Sequence, residues 1–104
     1  MERLRCGVVF TAEFAAFLEK WWRAQPEHHA AKIPSLDYVH CRDGLRAGES
    51  WVSLTWMYAR HLPDYELFEI ARIPLHLPRA SQKGLKWRCL DARDGELVVH
   101  GGHA

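Results

Sequence analysis

Only one stretch of this chain carries the helical period, and the residues beyond it read in the two-residue period of strands broken by turn residues. In residues 11–26, TAEFAAFLEKWWRAQP, the apolar side chains Phe14, Phe17, Leu18 and Trp21 recur at helical spacing, while Glu13, Glu19, Lys20 and Arg23 fall mostly outside that stripe. Thr11 precedes the stripe as a natural N-cap, and Glu13 sits in the first turn, where the helix dipole favours an acid. Gln25-Pro26 ends the helix, because the residue before a proline is driven out of the helical region. A lone amphipathic helix must bury its stripe against something, and the remaining chain offers strands. The expected fold is therefore α+β, one N-terminal helix packed on a curled antiparallel sheet of about five to six strands, in the order β-α-β-β-β-β-β.

The strands follow from parity. Residues 3–10, RLRCGVVF, place Leu4, Cys6, Val8 and Phe10 on one face. PEHHAAKIPS reads as a connector with two prolines. From Leu36 an apolar strand meets the turn-rich RDGLRAGE and returns as SWVSLTWMYARH, a hairpin with a loop longer than two residues. In that return strand Val52, Leu54, Trp56 and Tyr58 share the core face, and Trp51, Ser53, Thr55 and Met57 the back. YELFEIARIPLHL reads as one further strand with a bulge near Glu69, and Pro74 and Pro78 place its end at a sheet edge, since neither can donate to a ladder. RASQKG is expected to be a loop. LKWRCLDARDGELVVHG is a terminal hairpin turning at Arg93-Asp94-Gly95. This order resembles the cystatin-type arrangement, in which a curled antiparallel sheet wraps a single helix. The resemblance is one of topology. The glutamine-valine-glycine hairpin of cystatins is absent from both turns, so protease inhibition does not carry over.

Composition narrows the functional classes. At 104 residues, 48% hydrophobic and 26% charged, the chain suits a single domain over residues 1–104 that folds from end to end without metal or disulfides. From the terminus MERLRCGVVFTAEF neither a signal peptide nor an anchor is expected, and no apolar run in the sequence is long enough to span a bilayer. Cys6, Cys41 and Cys89 are odd in number and widely spaced, which fits free thiols and a cytoplasmic protein. A formal charge of +1 gives no global attraction to phosphate.

Chemistry is hard to assemble from these residues. His28-His29, His40-Cys41, His61, His76, His100 and His103 do not supply the paired, rigid spacing that zinc requires, so no metal is implied. His40 and Cys41 fall on opposite faces of a strand and make a poor base and nucleophile. Glycine-rich phosphate loops are missing, and no cofactor is implied. A non-enzymatic binding or inhibitor protein is the reading that fits best, acting by protein–protein contact through Trp22, Arg23, Trp51, Trp87 and Arg88. Small inhibitors of host defence complexes carried by phages and mobile elements, the anti-CRISPR proteins among them, are the biological class of this kind. A second reading is a nucleic-acid-binding sheet, with Trp51 and Trp87 interleaved with the basic run Arg72, Arg79, Lys83, Lys86 and Arg88. A third is a small-ligand pocket or enzyme site inside the curl, with polar groups from His40, His61 and Tyr58. A homodimer through an edge strand is compatible with all three.

Overall fold

The N-terminal helix forms where its cap and stripe place it. In the computed structural model, which describes residues 1–101, helix α1 spans Ala12–Arg23. The Thr11 hydroxyl accepts the backbone N–H of Phe14 at 3.1 Å, satisfying a donor that the first turn would otherwise leave unpaired. Phe14 and Leu18 are fully buried, whereas Phe17 and Trp21 lie on the margin of the stripe, half-buried.

The fold is α+β, but the sheet is divided. Strands β1 (Glu2–Arg3), β2 (Val9–Phe10), β7 (Cys89–Arg93) and β8 (Glu96–His100) form one four-stranded sheet in the order β1-β2-β7-β8. Strands β3 (Lys32–His40), β4 (Ser50–Tyr58), β5 (Leu67–Ile70) and β6 (Ile73–His76) form another in the order β4-β3-β6-β5. Both are mixed, because β2 runs parallel to β7 and β3 parallel to β6. The hairpins β3–β4 and β7–β8 form as the sequence leads one to expect, the second turning at Asp94 (φ 52°) and Gly95 (φ 77°).

Four details of the expected architecture change. Residues 3–10 are not one strand: Gly7 adopts φ +94°, its N–H reaches the carbonyl of Leu4 at 2.9 Å, and the chain doubles back between β1 and β2. The 65–77 strand is a tight hairpin rather than a bulged strand, because Ala71 (φ 52°) and Arg72 (φ 65°) form the left-handed turn between β5 and β6. Pro74 accordingly lies in an interior strand of the order and pairs with Glu69, and β3 bridges β6 only at Ser35–His76, so no second ladder meets the missing N–H. The connector ends early, since β3 already begins at Lys32.

The fourth change concerns RASQKG, which belongs to helix α2 (Arg79–Leu85) rather than a loop. Its seven residues, one of them Gly84, could not hold a helix in isolation. Tertiary contacts hold it: Leu85 is fully buried, the Ser81 hydroxyl accepts the Tyr38 N–H at 3.0 Å, and Gln82 Nε2 donates to the Leu77 carbonyl at 2.8 Å. The core joins both sheets and both helices through Val8, Phe14, Leu18, Leu36, Leu75, Leu77, Leu85 and Leu90. Burying each of these larger side chains contributes roughly 1.5–3 kcal/mol. Residues Ile33 to Leu36 are buried without alternation, so β3 is covered on both faces. No helix among the described residues is long and apolar enough to cross a membrane.

Candidate functional site

The return strand of the first hairpin, β4, carries two tryptophans on opposite faces, and both are engaged within the fold. Val52, Leu54 and Trp56 turn inward, Ser53, Thr55 and Met57 are exposed, and Tyr58 is exposed rather than part of the core face. Trp56 stacks on Trp21 with ring centroids 4.8 Å apart, and its Nε1–H donates to Gln25 Oε1 at 3.0 Å. Trp51, on the back, is half-buried beneath the Arg46 guanidinium, 4.6 Å from its ring centroid. Trp51 and Trp87 do not share a sheet face: Trp51 pairs with Val39 in one sheet, and Trp87 precedes β7 of the other. Trp22 is not an exposed anchor either, because the His29 imidazole lies flat on it at 3.5 Å and donates through Nε2 to the Trp22 carbonyl at 2.7 Å. Arg23 is exposed and paired with Glu19 at 2.6 Å.

Trp87 differs from the other four tryptophans. It is 49% exposed and adopts φ +67°, a conformation that costs an L-residue about 1–2 kcal/mol and that glycine adopts freely. The neighbouring backbone imposes it: the Trp87 N–H donates to the Gly7 carbonyl at 3.3 Å and the Arg88 N–H to the Leu85 carbonyl at 2.8 Å, closing α2 and aligning the chain for β7. Cations surround the ring. The Arg3 guanidinium stands 5.2 Å and the Lys86 ammonium 5.5 Å from its centroid, and Arg88, half-buried, lies 5.7 Å over Tyr38. Two shallow hollows meet at Trp87, and Arg3, Arg5, Lys86 and Arg88 are the charged residues lining them. Arg5 also serves the fold, donating to the Leu67 carbonyl at 2.7 Å with its guanidinium 4.1 Å over Phe68.

The sequence marked Trp87 and Arg88 but not Arg3 or Arg5, which lie more than eighty positions away in the chain and arrive through the β1–β2 hairpin alongside β7. No local signal joins them. The basic run, by contrast, disperses. Arg72 lines a hollow with Glu19, Trp22 and Arg23, Arg79 lies over Tyr65 at 5.6 Å, and Lys83 is exposed on α2, leaving Lys86 and Arg88 beside Trp87.

Two buried polar networks were not legible as units. Ser35 Oγ lies 2.7 Å from His76 Nδ1, and His76 Nε2 lies 2.8 Å from Glu66 Oε1, an array of hydroxyl, imidazole and carboxylate reminiscent of a nucleophile with its base. Ser35 is 2% and His76 4% exposed, so no substrate carbonyl can reach the hydroxyl, and the array joins β3, β6 and the turn before β5, whose Glu66 in turn accepts the first N–H of α2. The hydrogen bond from His76, helped by the Arg79 N–H at 3.1 Å, holds the Glu66 carboxyl below its usual range against the opposing effect of burial. Asp91 forms the second network. His100 Nε2 reaches one of its oxygens at 2.7 Å, and the Thr11 hydroxyl and Ala92 N–H donate to the other at 2.7 and 2.8 Å. The His100 bond above all, with the other two, holds Asp91 well below the ordinary carboxylate range. Thr11 thereby caps α1 and ties it to β7.

The remaining sequence candidates do not converge. His40 bonds Ser50 Oγ at 2.7 Å while the Cys41 thiol donates to the Asp43 carbonyl, so they form no dyad. His40, His61 and Tyr58 are exposed rather than gathered around an interior cleft. Among the described residues no three His, Cys, Asp or Glu side chains come together as a metal site, and His103 lies outside the described residues. No protein-family model matches the chain, and no curated protein or solved structure matches it either.

Proposed function

We propose that the protein works by binding, without chemistry of its own, and that it docks an acidic surface of a protein partner through Trp87 and the cations Arg3, Lys86 and Arg88. One observation carries this reading: an indole is held half exposed in a left-handed conformation, where glycine would serve the turn at lower cost. Trp and Arg are the residues most enriched among interface hot spots, because each combines a large apolar contact with a directed polar group. Positive charge around the ring steers an acidic partner and excludes basic ones. Blocking a larger complex by covering an acidic site on it, as inhibitors carried by phages and mobile elements do, is an activity that such a surface suits.

Nucleic acid is the second reading, and the cations weigh against it. Tracking a phosphate backbone requires a groove lined by many basic residues. Here Arg72 and Arg79 belong to other surroundings, which leaves a compact cluster.

The test is capture of stoichiometric partners from native host lysate with and without nuclease, using the unaltered protein, Trp87→Ala, and the pair Arg3→Glu with Lys86→Glu. A nuclease-resistant partner lost in both variants but kept by Trp22→Ala and Trp51→Ala is the expected result. Retention by the Trp87 and charge-reversal variants would overturn the assignment of the surface. A signal that vanishes with nuclease and falls steeply with salt would transfer it to nucleic acid.

A further inference from the structure

Phe17 and Trp21 of α1, with Ala24 just past its end, face the tip of the β7–β8 hairpin at Gly95 across a hollow of about 340 Å³. That volume lies at the lower end of small-molecule sites, about 300–1,000 Å³. Its walls are almost wholly apolar, and the single charged side chain lining it is Lys20. Two features distinguish it from a random surface dip. Trp21 is a fixed wall, because its ring stacks on Trp56 at 4.8 Å and Trp56 is in turn held by Gln25. Lys20 forms no ion pair among the described residues, although the same helix pairs Glu19 with Arg23.

A rigid indole, a phenyl ring and an unpaired ammonium on one rim define the ligand chemistry. We infer that this hollow is a binding site for a small planar aromatic carboxylate, the ring lying against Trp21 and Phe17 and the carboxylate pairing with Lys20 Nζ. The aromatic wall needs no reordering on binding, which removes part of the entropic cost. The site is independent of the Trp87 surface and stands or falls apart from it.

Titration of the full chain with 2-naphthoate, followed by amide and indole N–H chemical shifts, tests the inference, with 2-naphthylmethylammonium as the charge-reversed probe. Saturable shifts confined to Phe17, Lys20, Trp21, Ala24 and Gly95 are expected, with a dissociation constant on the order of 1 mM for a ligand of this size. Lys20→Glu should weaken naphthoate by about threefold or more, as loss of a solvent-screened ion pair and its replacement by repulsion imply, and reverse the preference between the two probes. Trp21→Ala should abolish both shifts. Should that variant fail to fold, Lys20→Glu alone decides, because Lys20 is exposed. Equal affinity for the anion and the cation in the unaltered protein, shifts centred elsewhere, or no saturation by about ten times the expected constant would overturn the proposal.

Discussion

Gly84→Ala is expected to destabilise this protein, although alanine in place of a helical glycine ordinarily stabilises by about 1 kcal/mol. The reason is one contact. A Cβ at position 84 would stand 2.4 Å from Cδ2 and 2.7 Å from Cε2 of Tyr38, against 3.4–4 Å for ordinary van der Waals contact, so ring or helix must yield by about 1 Å. Neither is free to do so. The Tyr38 hydroxyl bonds Ser50 Oγ at 3.1 Å, its backbone N–H bonds Ser81, and Leu85, fully buried, anchors the other side of α2. Overpacking of this kind costs about 1–3 kcal/mol, which leaves a net loss of up to about 2 kcal/mol after the helical gain. For a domain of this size that lowers Tm by up to roughly 15 °C. Thermal and urea unfolding of Gly84→Ala, Tyr38→Ala and the double variant form the assay. In the Tyr38→Ala background the obstacle is gone, and adding Gly84→Ala should become neutral or stabilising by up to about 1 kcal/mol. Stabilisation by Gly84→Ala alone, or an equal loss in both backgrounds, would refute the reasoning.

Three other outcomes are expected from the buried networks and the turns. Ser35→Ala leaves His76 Nδ1 buried without its 2.7 Å partner and should cost about 1–3 kcal/mol in urea unfolding; a loss below about 0.5 kcal/mol would mean that water or rearrangement replaces the hydroxyl. Glu66 and Asp91 both have lowered folded-state pKa values, so their contributions are complete above the unfolded values near 4.5 and 3.8 and decline as pH falls through the folded ones. Urea midpoints should therefore hold steady near neutrality and drop below about pH 4.5, and Glu66→Gln should flatten the upper part of that drop. Replacing Ala71-Arg72 by Asn-Gly suits a turn whose φ angles are 52° and 65° and should raise stability by about 1–2 kcal/mol, read as a higher Tm; a lower one would show that the Ala71 or Arg72 side chain holds the hairpin.

What the sequence determined by itself was local. The stripe of α1, its Thr11 cap, the long β3–β4 hairpin, the parity of β4 as far as Trp56 and the Asp94-Gly95 turn all rest on interactions within a few residues or on a period, and those are written linearly. Four decisions came only from the tertiary structure. The β5–β6 turn was invisible because Ala71 and Arg72 carry no turn chemistry, and the surrounding strands force φ angles that the residues do not favour. Helix α2 was invisible because its stability comes from Leu85 and from side-chain bonds to residues up to 43 positions away. The parallel pairings β2–β7 and β3–β6 divide the strands into two sheets, and no local signal encodes the pairing of distant segments. The cation cluster at Trp87 results from the first of those pairings, which carries Arg3 across the chain to an indole whose exposed pose is set by the Gly7 carbonyl. Period and capping specify elements. Long-range burial and hydrogen bonding decide which elements meet, and in this protein the candidate surface exists only where they meet.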